Sequence, residues 1–118
     1  MSGANGKRPH RLAVSTTDGL TVYVHFGQAV RFWIYDLVDG VYEYVEQRDV
    51  PRGCGPDGHS TEVFDVILEI LSDCEAVVVG KIGPGAAEYV LSRGLRIFQG
   101  PGVLEVTLPK VAAVIGKE

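Results

Sequence analysis

The sequence predicts a three-layer α/β domain on a mixed five-stranded sheet, with elements in the order β-β-β-α-β-α-β-α. Three observations carry that expectation. The first half holds strand-like runs joined by an Asp39-Gly40 hairpin signal. After residue 60 the apolar period becomes helical. From there apolar runs and helical segments alternate, which is the pattern of parallel βα units.

Each element has its own local reason. "RLAVST" (residues 11–16) alternates and carries a β-branched residue, so it reads as the first strand. "TTDGLTVYVHFGQA" reads as turn residues, a short extended piece over 21–24, and a loop. Residues 30–37 are apolar on both faces, with Phe32 and Ile34 opposed to Trp33, Tyr35 and Leu37, so both faces should be covered. Asp39-Gly40 suits a type I′ turn, whose two central residues need positive φ. The returning "VYEYVEQR" mixes Tyr and Val with Glu43, Glu46, Gln47 and Arg48, which suits an edge strand.

"DVPRGCGPDG" is too rich in proline and glycine for regular structure and is expected to be a loop. In "STEVFDVILEILSD", Val63, Phe64, Ile67, Leu68, Ile70 and Leu71 recur at helical spacing. Ser60 or Thr61 can cap that helix, and Glu62 and Asp65 suit its positive end. "EAVVVG" is a continuous apolar strand of parallel-sheet type. "GPGAAEYVLSRG" is a helix punctuated by Pro84 at its first turn and Gly94 past its end. "LRIF" is a short strand. "GPGVLEVTLPKVAAVIG" is apolar at helical spacing but interrupted by Pro109, which predicts a short helix or turn and then a final helix starting near Pro109.

Composition bounds the function. The 118 residues are 46% hydrophobic and 22% charged, which is globular rather than disordered. Residues 1–10, "MSGANGKRPH", read as a polar disordered tail before a single domain over 11–118. A formal net charge of -4 with scattered Lys and Arg argues against nucleic acid as a partner. No apolar run approaches the roughly 20 residues that span a membrane, and the start has no apolar signal region, so a cytoplasmic location is expected. Two cysteines in such a chain are not expected to form a disulfide. Cys74 should be a small core residue and Cys54 an accessible loop thiol.

Four groups of residues could carry chemistry. His25, at the mouth of a strand beside Gly27, could ligate a transition metal or simply bond to loop backbone, and spacing alone favours the second. Cys54 and His59 stand in C-G-P-D-G-H, an acceptable spacing for two ligands, with Asp57 as an oxygen donor. Without a second matching pair they do not make a closed zinc site, but they could offer two or three ligands to an exogenous cluster. Gly80, Gly83 and Gly85 in "VVVGKIGPGA" precede a helix, where amides can bind an anion. The spacing fits no nucleotide motif, and glycines serving a tight turn and close packing explain it better. The carboxylates Asp18, Asp36 and Asp39 are not placed for a two-metal nuclease centre, the chemistry that a ribonuclease-H-like topology would suggest. Nothing sets Ser15, Ser60 or Cys54 in a nucleophile-base arrangement.

"HFGQAVRFWIYD", then "VEQRDVPRGCG", then "LSDCEAVVVGKIGPGAAEYVLSRGLRIFQGPG" together resemble the dinitrogenase iron-molybdenum cofactor biosynthesis family. That group includes NifX, NifY and the C-terminal domain of NifB. The resemblance runs over residues 11–114 and rests on the order of landmarks: the H-F-G-x-A turn, the E-x-R strand end, the D-C before a strand, the I-G-x-x-A helix start and the R-G-L strand. It implies a ribonuclease-H-like fold and carriage of an iron-sulfur or iron-molybdenum cluster between donor and acceptor proteins in nitrogen fixation, without turnover. His25 matches the histidine of the H-F-G motif, which is associated with cluster binding in some members. Cys54 matches a loop position that is often Cys or Gly, and His59 has no firm counterpart. The cysteine triplet of the radical-enzyme portion of NifB is not in these residues, so no carbon-insertion chemistry is implied. The readings from other classes are a metal-free interaction or regulatory module, in which His25 is structural, and an enzyme using Cys54 as nucleophile.

Overall fold

A computed structural model describes residues 9–52, 54–55, 58–59 and 61–115, with the backbone alone at 54–55, 58–59 and 61. Its elements are β1 (His10–Val14), β2 (Thr21–Val22), a 3-10 turn (Phe26–Gln28), β3 (Arg31–Val38), β4 (Val41–Asp49), β5 (Cys54–Gly55), β6 (Gly58–His59), α1 (Thr61–Ile70), β7 (Ala76–Val79), α2 (Pro84–Ser92), β8 (Arg96–Gln99), β9 (Gly102–Val103) and α3 (Leu104–Ile115). The main sheet is mixed and five-stranded, in the order β4-β3-β1-β7-β8. β3 is antiparallel to both β1 and β4, whereas β1, β7 and β8 run parallel.

The strand residues alternate between two cores, as a period of two requires. Ala13, Phe32, Ile34, Val77 and Val79 face one side and bury against Phe64, Ile67 and Leu71 of the α1 segment and Ala86 and Val90 of α2. Leu12, Val14, Tyr35, Leu37, Ala76 and Val78 face the other and bury against Leu104, Leu108, Val111 and Ile115 of α3. β7 lies between these layers, and all four of its residues are buried, which is why its sequence runs apolar without a break. The β3–β4 hairpin turns on Asp39 (φ 53) and Gly40 (φ 81), the two positive values that its sequence requires. β4 is an exposed edge, as its polar content predicts.

Three expectations need correction. β1 starts at His10, one residue inside the segment assigned to the tail, because His10 pairs with Leu37 and its ring nitrogen lies 2.6 Å from Glu75. α3 starts at Leu104 and runs through Pro109 without a break. Pro109 removes one intrahelical donor, the bond to the Glu105 carbonyl. Both residues lie on the exposed face, where water can replace that bond, while Leu104 and Leu108 are held in the core. The loop expected over residues 49–58 contains a two-residue ladder, with Cys54 paired to His59 and Gly55 to Gly58. Residues 1–8 and the capping position at Ser60 lie outside the described residues.

At the amino ends of β1 and β7, Arg11 makes a two-pronged contact with Asp36 (2.8 and 3.0 Å) and reaches Asp73 (2.9 Å). Arg48 forks onto Asp73 at 2.6 and 2.9 Å and donates to the Ile70 carbonyl. These guanidinium hydrogen bonds, Arg48 foremost, hold the Asp73 carboxyl well below the usual carboxylate range. A depressed folded pKa stabilises the fold fully above the unfolded value near 4, and that contribution is lost as pH falls through the folded value. Asp73→Asn is therefore expected to be less stable than the parent at pH 7, by about 1 kcal/mol because solvent screens the pair. The gap should shrink below about pH 4. Denaturant unfolding at neutral and acid pH measures it, and a gap that does not change with pH would contradict the linkage.

Candidate functional site

The chain that leaves β2 folds back onto the carboxyl end of β7. The Val24 carbonyl accepts from the Gly80 amide at 3.0 Å and from the buried Ser15 hydroxyl at 2.8 Å. One residue on, His25 forms a parallel bridge with Lys81, and the Phe26 amide donates to the Lys81 carbonyl at 2.8 Å. Phe26 is fully buried, its ring 6.0 Å from that of Phe32 and 5.7 Å, edge-on, from that of Phe64. Gly80 allows the approach: a Cβ there would lie 2.4–2.7 Å from the main chain of Tyr23.

His25 is thus fastened on both sides through its backbone while its own side chain is exposed. It stands at the start of the 3-10 turn without making a side-chain cap. Among the described residues its imidazole has no hydrogen-bond partner. The ring is presented to solvent at the end of a parallel strand, where ligands of α/β sheets commonly bind.

The Cys54–Gly55 strand lies beside the turn Phe26–Gln28. Across its ladder Cys54 and His59 are Cα partners. Opposed Cα atoms in antiparallel pairs are roughly 4.5–5.5 Å apart. The backbone therefore brings the Cys54–His59 ladder, distant in sequence, beside the turn that His25 begins. Asp57 lies outside the described residues. Among the described residues, no group of three His, Cys, Asp or Glu side chains could hold a metal ion.

The remaining candidates have structural partners. Cys74 is buried and free, and burial pushes its thiol up to about 12, so it is no thiolate donor at neutral pH. Asp18 caps its own turn, accepting from the Leu20 and Thr21 amides at 2.8 and 2.9 Å, which hold its carboxyl at about 2. Asp36 is committed to Arg11. Of the glycines before α2, Gly80 is needed for packing, but a Cβ on Gly83 would meet nothing within 4 Å. The pairing of Lys81 with His25 joins distant parts of the chain and has no local signal in the sequence, where only the glycines of the segment stand out. Among the described residues, no helix is long and apolar enough to cross a membrane.

The described residues form a mixed α/β domain in which the exposed, backbone-fastened His25 begins a turn that lies beside the Cys54–Gly55 strand. The family profile described as "Dinitrogenase iron-molybdenum cofactor" matches residues 9–113, and the chain belongs to that family. It is 37% identical over 108 residues to the FeMo cofactor biosynthesis protein NifB of Frankia alni, covering 89% of this chain and 20% of that one. It is 27% identical over 96 residues to the protein NifX of Rhodobacter capsulatus, covering 79% of this chain and 60% of that one. The chain spans only about a fifth of the NifB relatives it matches. In fold it is similar to a crystal structure of PH0822, with TM-score 0.63, 24% identity and 90% of each chain covered.

Proposed function

We propose that this chain is a carrier that holds an iron-sulfur or iron-molybdenum type cluster as a transient guest in the cytoplasm. It receives the cluster from one protein and gives it to another, without turnover and without nucleic acid or membrane as a partner. His25 supplies an imidazole ligand, Cys54 a thiolate, and His59 a further contact, all within one domain over residues 11–118. The supporting observation is convergence: the Cys54–His59 ladder lies beside the turn that His25 begins. The NifB relatives, named for FeMo cofactor biosynthesis, support placing the chain in that pathway. The sheet order β4-β3-β1-β7-β8 with an antiparallel second strand supports a ribonuclease-H-like fold. Two or three ligands suit a guest that must leave again, where four would trap it.

Reconstitution of the purified chain with a synthetic iron-sulfur cluster, without oxygen, tests this reading. The parent is expected to acquire visible absorption, His25→Ala to bind at least about tenfold more weakly, and His25→Ala with Cys54→Ala to remain colourless. Equal binding by parent and double variant would sink the ligand assignment. The rival reading is a metal-free interaction or regulatory module of the same fold, in which His25 is structural. Metal content and colour of protein purified without oxygen separate the two.

A further inference from the structure

We infer that Lys81 belongs to the same site, and that its ammonium selects a guest of net negative charge. The inference rests on the carrier reading above and deepens it by naming the charge of the cargo. Lys81 is the bridge partner of His25, and residues paired on neighbouring strands project to the same face. Both residues are exposed. The backbone contacts fix their spacing, because the Lys81 carbonyl is the acceptor of the Phe26 amide.

Like Arg52 and Lys110, Lys81 is an exposed cation without an ion pair among the described residues, and its place beside His25 sets it apart. Arg11, Arg31, Arg48 and Arg93 each pair with a carboxylate. Among the described residues, the Lys81 ammonium has no hydrogen-bond or ion-pair partner. The two segments that meet at the bridge, residues 24–29 and 80–87, contain no Asp or Glu, although the whole chain has a net charge of -4. An acidic protein that sets an exposed cation beside an exposed imidazole, with no acid in either segment, repels anions generally but attracts them at this spot. Sulfide- and thiolate-rich metal clusters are anions of that kind. A bare divalent cation would be disfavoured there by the same charge.

The test measures binding of a thiolate-capped synthetic iron-sulfur cluster of known negative charge, without oxygen, at about 10 mM and about 1 M salt. Over that range the screening length falls from about 30 Å to about 3 Å. The proteins are the parent, Lys81→Met, Lys81→Arg and His25→Ala. Only the backbone of Lys81 serves the fold, so all should give the parent's circular dichroism. Lys81→Met is expected to bind about tenfold more weakly at low salt and nearly as well as the parent at high salt. Lys81→Arg should keep the parent's affinity and salt dependence. His25→Ala should lose affinity at both salt concentrations. If the parent binds and Lys81→Met binds equally at low salt, the inference about Lys81 is overturned while the carrier reading stands. If the parent fails to bind, both are overturned.

Discussion

Phe26→Ala is expected to lower the unfolding free energy by about 4 kcal/mol, the usual cost of deleting a fully buried aromatic side chain. For a chain of this length that corresponds to a fall in Tm of roughly 15 °C. The ring is completely buried and packs against both Phe32 and Phe64, so its removal opens a cavity walled by β3 and α1. Its backbone also closes the bridge to Lys81, so loosening Phe26 releases His25 from its mount. Denaturant unfolding measures the first effect, and cluster binding well below the transition measures the second. A loss under about 1 kcal/mol would show that the two aromatic neighbours collapse into the space.

Gly80→Ala is the second large effect. The added methyl would meet carbonyl carbon, oxygen and Cα of Tyr23 at 2.4–2.7 Å, and main-chain atoms cannot swing away as a flexible side chain can. Relief requires parting the 23–26 segment from β7, which breaks the bond between the Gly80 amide and the Val24 carbonyl. The expected cost is about 3 kcal/mol. Gly83→Ala is the control: nothing lies within 4 Å of its added carbon. Its cost should not exceed about 1 kcal/mol, the difference between glycine and alanine as a helix N-cap. Equal melting temperatures for the two variants would refute the close-approach argument.

The two predictions concern a single feature, the strap of residues 23–26 laid across the end of β7. His25 itself makes no side-chain contact that the fold needs among the described residues, so His25→Ala should leave stability nearly unchanged while changing binding. Phe26 and Gly80 behave in the opposite way. Binding lost without stability at one residue, and stability lost first at its neighbours, separates the proposed ligand from the frame that presents it.

Much of this architecture was legible in local patterns, because those patterns report burial directly. The unbroken Ala76–Val79 run is apolar since both its faces are covered. The polar residues from Val41 onward mark β4 as an edge because nothing covers it. Asp39-Gly40 specifies its hairpin through the φ values that only such a pair tolerates well. The helical stripe of α1 and the glycine and proline around α2 likewise depend on a few neighbouring residues. What the sequence alone determined is thus the kind of element for the five main-sheet strands and for α1 and α2, and it named His25, Cys54 and His59 as the donors worth locating.

The decisions left to the tertiary structure all concern residues far apart in the chain. Pro109 stands inside α3 because Leu104 and Leu108 find a core and the interrupted carbonyl faces solvent, a balance invisible to propensity. The Cys54–His59 ladder forms in a segment whose glycines and proline read locally as pure loop. The bridge from His25 to Lys81 depends on the strap crossing β7 at Gly80. Spacing along the chain can name a histidine, a cysteine and a lysine. Only long-range backbone pairing sets the histidine against the lysine and lays the cysteine's strand beside the histidine's turn.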